Sequence, residues 1–284
     1  MSTAADIVDR VIRRANIEST KTKAGWCLRE GLLHVGALEN GSLLHLIDTH
    51  GVPAFYSNCK TSSACRHDAT QDLKDPSNCF ESLCRIVVGQ FVSGKAAQAA
   101  WRRLLSVTQP ALTPETVLRL GSDDIETKLR VPAGLTKSKA LCLVDLATHF
   151  HTGTLSEDFL QSGDVEEVRK ALLMVKGIGP WSCDMFLQFY LEHSNILAIG
   201  DLGIRKGLQR HFKSTQKDLK QRFSEYQPYQ SLLAYYMWRV ADTKISQSES
   251  QPKKKQKRPE ESIVVQSPSK RRRTSPRRTV TPER

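Results

Sequence analysis

Long apolar runs are missing from this chain of 284 residues, and no segment approaches the roughly 20 consecutive apolar residues of a membrane-spanning helix. A sustained alternation of apolar and polar residues, which is typical of half-buried strands, is absent between residues 77 and 242. The chain is long enough to bury a sizeable core without support from a metal or a disulfide. We therefore expect an all-α protein that does not enter a membrane.

Cysteines with the spacing of a metal site or a redox pair are also missing. The odd number of cysteines and the lack of a CxxC pair argue against a disulfide framework and a zinc site, and favour reduced thiols in an intracellular compartment. We expect no metal and no cofactor. The seven cysteines are Cys27, Cys59, Cys65, Cys79, Cys84, Cys142 and Cys183.

Positive charge is concentrated at the end of the chain. The sequence has 42 Lys and Arg against 30 Asp and Glu, a net charge of +12. Residues 252–284 contain twelve of the basic and three of the acidic residues, which leaves 30 and 27 in residues 1–251. The last 33 residues therefore carry +9 and the rest only +3, so a local patch rather than an overall field must dock any polyanion.

The segment 246–284 has the composition of a disordered tail, because it is rich in Ser, Gln, Pro, Lys and Arg and poor in apolar residues. Its basic runs 253–258 and 270–273 resemble nuclear import signals. The alternative is a solvated tail that binds any polyanion weakly.

Two glycines interrupt a helical pattern that extends over residues 165–192. Apolar residues recur at helical spacing in residues 165–175, and the sequence KGIGP at residues 176–180 ends this helix. Glycine permits a positive φ and a close backbone approach, while Pro180 suits the first turn of a second helix. We expect Ile178 to fill the hairpin between the two helices, with the glycine amides and a helix N-terminus facing an anion such as a phosphate.

Asp201 lies 20 residues beyond Trp181 and begins another predicted helix. Taken alone, it would be an ordinary N-cap. Together, however, LLMVKGIGPWSCDMFL and GDLGIRKG resemble the helix-hairpin-helix, Gly/Pro-Asp superfamily of DNA glycosylases, and within it the 3-methyladenine DNA glycosylases of yeast and of the bacterial alkylation-inducible type. The resemblance implies two helical subdomains that face each other across a DNA cleft, with the hairpin and Asp201 on one lip.

The same resemblance implies a domain organisation. Residues 1–36 would be a partly helical N-terminal extension, residues 37–245 the glycosylase domain, and residues 246–284 the disordered basic tail. A core helix is predicted over residues 38–50.

A second motif spans residues 80–105, where the apolar pattern predicts two helices joined by Gln90-Phe91-Val92-Ser93, with Ser93 as the N-cap of the second. Taken alone, Phe91 would be a core residue. In the resembling family, a Q-x-x-S loop carries the side chain that fills the gap left by a flipped base, which implies that Phe91 is an intercalating wedge. Gln90 would support the loop or contact the opposite strand.

Further DNA contacts follow from the resemblance. The helix predicted after Thr136 carries Lys137 and Lys139 at its start, where they would touch phosphate, although lysines at a helix end are often simply solvated. The remaining DNA-binding candidates are Ser93 of the Q-x-x-S loop and the hairpin residues Lys176, Gly177, Ile178 and Gly179.

The chemistry of such an enzyme requires a carboxylate. Release of a purine passes through an oxocarbenium-like sugar, which a carboxylate stabilises while it positions or deprotonates water, and the resemblance gives this role to Asp201. Bifunctional relatives carry a nucleophilic Lys where this chain has Trp181, and a Trp cannot form a Schiff base, so a monofunctional enzyme without lyase activity is expected. Some relatives also hold an iron-sulfur cluster beyond the hairpin, but no cysteine follows Cys183.

Aromatic residues near these motifs bear on specificity. Electron-rich rings favour positively charged bases such as 3-methyladenine and 7-methylguanine, and the resemblance implies a base pocket with Trp181, Trp238 and Tyr236 as walls. Gln230 stands where the family usually has Arg. Two alternatives remain open: a glycosylase or glycosylase-lyase for oxidised or deaminated bases, and a non-catalytic hairpin protein that only binds DNA.

The expected partner is double-stranded DNA with damaged bases, and enzymes that process abasic sites could act next. The tail would bind a nuclear import receptor, which places the protein in the nucleus. A monomer is expected.

Deleting residues 252–284 should abolish nuclear accumulation and leave base release from a short duplex largely unchanged, because the tail holds charge but none of the aromatic or carboxylate candidates. Truncation should also flatten the salt dependence of DNA binding, by about 0.9 in log K per log salt for each phosphate that the tail would have neutralised. Localisation of a tagged truncation and its activity on methylated DNA test this. Nuclear accumulation without the tail, or abolished catalysis at low salt, would contradict it.

Overall fold

The computed structural model describes residues 2–17, 21–53, 76–213 and 219–243. The predicted basic tail, with the two runs that resemble import signals, lies outside these residues, as do Cys59 and Cys65. These described residues belong to one compact unit.

The fold is built from helices, as the sequence predicts. Across the described ranges, the pairing of β type is an isolated bridge between Lys21 and Cys27, and no described helix is both long and apolar enough to cross a membrane. A π-helical segment (Ile125–Arg130) follows α6, and 3-10 turns occupy Leu38–Gly41 and Ser224–Tyr226. The α-helices are α1 (Ala4–Arg14), α2 (Leu28–Ala37), α3 (Leu44–His50), α4 (Cys79–Gly89), α5 (Gly94–Val107), α6 (Pro114–Asp124), α7 (Val131–Ala133), α8 (Lys137–His151), α9 (Glu157–Ser162), α10 (Val165–Leu173), α11 (Pro180–Phe189), α12 (Leu202–Phe212), α13 (Leu219–Arg222) and α14 (Gln230–Asp242).

Helix starts agree with the capping residues seen in the sequence. The side chains of Ser93, Thr136 and Asp201 each accept a backbone N–H at the start of α5, α8 and α12, respectively. These bonds satisfy amides that have no partner inside the helix.

The apolar residues form two cores, in keeping with two helical subdomains. The first contains buried residues between 79 and 196, and the second combines residues 8–52 with residues 198–237. Helix α11 serves both, because Cys183, Phe186 and Leu187 lie in the first core and Met185 lies in the second. The helix that begins at the hairpin therefore fastens the two subdomains together.

The N-terminal segment is part of the second core, and the expected extension over residues 1–36 is wrong as a description of its packing. Val8, Leu32 and Val35 are fully buried there. A Cβ at Gly31 would lie 2.9 Å from the side chains of Leu232 and Tyr229, so glycine lets α2 lie close to α14. The second core thus begins at α1.

The predicted helix over residues 38–50 is shorter in the structure. Glu39 and Asn40 have positive φ angles of 46° and 57°, which breaks the helical path before α3 begins at Leu44.

Helices α12 and α14 pack with their backbones in contact. A Cβ at Gly207 would lie 2.1 Å from the carbonyl oxygen of Met237. Glycine is required here because backbone atoms cannot swing aside as a side chain can. This contact places the start of α12, with Asp201, beside Trp238 on α14.

Gly207→Ala should therefore destabilise the protein by about 3 kcal/mol, which corresponds to a Tm about 6–12 °C lower for a domain of this size. Gly89→Ala is the matched control, because a Cβ at that helical position meets nothing within 4 Å. Thermal unfolding followed by circular dichroism measures both. Equal Tm values for the two variants would show that the α12–α14 contact tolerates a methyl group.

Candidate active site

The hairpin joins α10 to α11 in the conformation expected from its glycines. Gly177 has a φ of 96°, and a Cβ there would lie 2.9 Å from Cβ and Sγ of Cys142 on α8. Ile178 is buried in the first core, as predicted. Gly179 is the N-cap of α11, and Pro180 is its first residue. The turn is thus pressed against α8 on one side and open on the other.

The open side presents hydrogen-bond donors. Within the described part of the chain, the backbone N–H groups of Gly177 and Gly179 have no acceptor. The Lys176 side chain is 90% exposed, while its backbone N–H donates to Oδ2 of Asp145 at 2.8 Å. Free amides, a helix N-terminus and an exposed ammonium group together suit an anion.

The loop between α4 and α5 is tied to this hairpin. Nε2 of Gln90 donates to the carbonyl oxygen of Gly177 at 3.0 Å and to Oγ of Ser182 at 2.9 Å. Of the two roles expected for Gln90, the structure shows loop support. The next residue, Phe91, has a φ of 54° and a fully exposed ring. Phe91 is therefore not a core residue but an apolar side chain held out from a braced loop.

Lys139 does not lie on the surface, so the prediction that it touches phosphate is wrong. Its side chain is buried, and Nζ donates to the carbonyl oxygen of Val88 at 2.8 Å. Burial lowers the pKa of Lys139. It thus caps the C-terminal end of α4, just before the Phe91 loop. Lys137 is exposed, because residues two apart on a helix face different directions.

Asp201 is held by three N–H donors. Its Oδ1 accepts the backbone N–H of Ile204 at 3.0 Å and Nε1–H of Trp238 at 2.8 Å. Its Oδ2 accepts Nε1–H of Trp181 at 2.9 Å. A carboxylate has about four acceptor positions, so among the described contacts one position on Oδ2 stays open. Asp201 is both the N-cap that its sequence position indicates and the acceptor for two indoles.

A further aromatic ring packs against one of these indoles. Phe189 on α11 stacks on Trp238, with ring centroids 5.2 Å apart and an interplanar angle of 24°. Leu202, which follows Asp201, is 57% exposed. Phe189 was not predicted as a site residue, although the spacing of Trp181, Met185 and Phe189 puts all three on one face of α11. That face is the signal that would have found it.

Comparison with known protein families matches residues 84–227 to the HhH-GPD superfamily of base excision DNA repair proteins. The chain belongs to this superfamily. The match extends from α4 to the 3-10 turn before α14, and it includes the hairpin, Asp201 and the Phe91 loop.

Individual relatives agree with this assignment. The DNA-3-methyladenine glycosylase of Saccharomyces cerevisiae is 28% identical over 198 residues, with 58% of this chain and 67% of that protein covered. YfjP of Bacillus subtilis is 30% identical over 130 residues. This HhH-GPD protein spans 44% of the length of YfjP.

A solved structure shows the same fold. The 3-methyladenine DNA glycosylase Mag1 of Schizosaccharomyces pombe, in complex with abasic DNA, superimposes with a TM-score of 0.61 at 22% identity. The alignment covers 74% of this chain and 95% of that one.

Tyr236 does not line the site of this HhH-GPD protein, so its assignment to the base pocket is wrong. The side chain is fully buried in the second core, and its hydroxyl donates to the carbonyl oxygen of Gly51 at 3.0 Å. Tyr236 and Trp238 lie two residues apart on α14, so they point to different sides of the helix.

Two polar residues at the start of α14 have internal partners. Nε2 of Gln230 donates to the carbonyl oxygen of Phe223 at 2.9 Å, so this side chain is used inside the fold. Oγ of Ser231 accepts the backbone N–H of Ile196 at 3.0 Å and donates to the carbonyl oxygen of His193 at 2.6 Å. Ser231, which was not predicted as a site residue, thereby fixes the connection that leads from α11 to Asp201.

Phe91→Ala should weaken binding to abasic-site DNA by about 10-fold, because a vacated stack offers an apolar slot to the ring. Binding to intact duplex should change by less than about 2-fold, since no slot exists there. Val92→Ala in the same loop is the control. Fluorescence anisotropy with the two duplexes measures both affinities. An equal weakening on the two duplexes would contradict the wedge role.

Proposed function

We propose that this HhH-GPD protein is a monofunctional DNA glycosylase that hydrolyses the N-glycosidic bond of alkylated purines in duplex DNA and so initiates base excision repair. The observation that carries the proposal is the Asp201 carboxylate, held between the indole N–H groups of Trp181 and Trp238 at 2.9 and 2.8 Å. The names of the yeast relatives support the same activity.

Asp201 would act on the sugar and on the attacking water. As the purine leaves, positive charge develops on the sugar, and a fixed carboxylate stabilises that charge without reorganising. The open acceptor position on Oδ2 can take a hydrogen bond from water and then its proton.

The base pocket would be formed by Trp181, Trp238 and Phe189. Purines alkylated at N3 or N7 carry a positive charge, and indole faces attract such cations more strongly than neutral purines. The stack of Phe189 on Trp238 holds the second indole in place. This arrangement supports 3-methyladenine and 7-methylguanine as substrates over uncharged damaged bases.

DNA binding would use the hairpin and the Phe91 loop together. The amides of Gly177 and Gly179 and the ammonium group of Lys176 would bind phosphates, and Lys137 at the exposed start of α8 would add another contact. Phe91 would enter the space that the flipped base leaves. The bonds of Gln90 to the hairpin keep these two contact regions at a constant separation.

The absence of lyase activity is part of the proposal. Trp181 occupies the position after the hairpin where bifunctional relatives carry lysine, and the buried Nζ of Lys139 is already bonded to Val88. Borohydride trapping on DNA with an oxidised base tests this, because a Schiff base would be reduced to a stable crosslink.

The composition of residues 246–284 also leads us to propose that the protein is located in the nucleus and that an import receptor binds this segment.

Asp201→Asn should lower the single-turnover rate of 7-methylguanine release by about 100- to 10,000-fold, because the negative charge is removed while the N-cap is kept. Affinity for abasic-site DNA should change by less than about 3-fold, since the charge acts in the transition state. Tm should fall somewhat, because the new amide N–H₂ cannot accept an indole N–H.

Asp164→Asn is the matched control. Asp164 caps α10 in the same way, by accepting the backbone N–H groups of Glu166 and Glu167. Its substitution should leave the rate unchanged. Normal turnover by Asp201→Asn would reduce Asp201 to a helix cap.

A further inference from the structure

Gly203, two residues after Asp201, has no role in the chemistry described above. A Cβ built there would lie 2.6 Å from Cδ1 and 3.0 Å from Nε1 of Trp238, and 3.0 Å from Oδ1 of Asp201. We propose that Gly203 is a positioning residue, whose missing side chain lets the indole edge of Trp238 reach Oδ1 of Asp201. The inference rests on the proposed function, because it assigns a cause to the geometry of that site.

Backbone conformation does not explain this glycine. Its φ lies outside the positive region that disfavours other residues. It lies in the first turn of α12, where alanine would favour the helix more than glycine does. The cost of a glycine in a helix is therefore offset by the close approach of the indole.

Trp238 cannot easily yield to a methyl group. One face of its ring is stacked on Phe189 at 5.2 Å. Its helix, α14, is held against α12 by the backbone contact at Gly207 and Met237. A methyl group at residue 203 would therefore push the indole edge away from Asp201 and lengthen the bond from Nε1 to Oδ1, which is 2.8 Å long.

The consequence for catalysis follows from the bonds at Asp201. Without the Trp238 donor, Oδ1 keeps the backbone N–H of Ile204 and Oδ2 keeps the indole N–H of Trp181, so two bonds instead of three hold the carboxylate. The open position on Oδ2 is then less firmly directed. A displacement of about 1 Å at a reacting group can cost about 100-fold in rate.

Neighbouring glycines provide matched controls, because each meets different surroundings. A Cβ at Gly200, one residue before Asp201, meets nothing within 4 Å, whereas a Cβ at Gly207 meets the backbone of Met237. Gly200→Ala therefore tests a methyl group beside the site without the contact to the indole. Gly207→Ala would disturb the α12–α14 packing that places Asp201 beside Trp238, so it tests the fold.

The experiment compares the full chain as wild type, Gly203→Ala, Gly200→Ala, Trp238→Ala and the double variant Gly203→Ala/Trp238→Ala. Single-turnover release of 7-methylguanine from a duplex gives the rate, and anisotropy gives the affinity for abasic-site DNA. The indole N–H signals of the four tryptophans in a ¹⁵N correlation spectrum report the hydrogen bond directly.

Gly203→Ala is expected to lower the rate about 10- to 100-fold, with abasic-site affinity within about 2-fold of wild type and with a shift of the Trp238 indole signal. Gly200→Ala should change none of these. In the Trp238→Ala background, Gly203→Ala should lower the rate by less than about 2-fold, because the effects of two substitutions that act through one contact are not additive.

Two results would overturn the proposal. One is an undisplaced Trp238 signal in Gly203→Ala, and the other is an equal reduction of the rate with and without Trp238. If the wild type released no base at all, the proposed function would fail, while the indole signal would still decide whether Gly203 positions Trp238.

Discussion

The structure depends on one shared carboxylate. Asp201 joins three helices, because it caps α12, accepts the indole of Trp181 from α11 and accepts the indole of Trp238 from α14. An acceptor that is bonded to several donors fixes the relative placement of the groups that donate to it. The residue proposed to do the chemistry is therefore also the residue that brings the hairpin helix and the last helix together.

A second fixed connection joins the two elements that we propose bind DNA. Gln90 bonds to the hairpin from one side, and Lys139 caps the helix that precedes the Phe91 loop from the other. A loop residue with a positive φ is strained, and such strain persists where surrounding contacts determine the conformation. Phe91 is therefore held in an exposed position without DNA, and its proposed insertion into DNA would require little further ordering of the loop.

Local sequence patterns were sufficient to predict the helices, but they were insufficient to predict which helices contact one another. The caps at Ser93 and Asp201 and the buried Ile178 followed from residue type and spacing, because these features act within one turn. The burial of Lys139 and Tyr236 could not be predicted in this way, because the neighbouring helices decide which face of a helix is covered. Gly203 and the packing of residues 1–36 also depend on distant partners, which no local pattern encodes.

The two cores differ in which parts of the sequence form them. The first is made from the continuous segment 79–196, whereas the second joins helices from the beginning of the chain to helices from its end. During synthesis the first core can close as soon as its own residues have emerged, while α1 to α3 must wait for α14. Because α11 belongs to both cores and α14 carries Trp238, the proposed active site is completed last, when the ends of the fold meet.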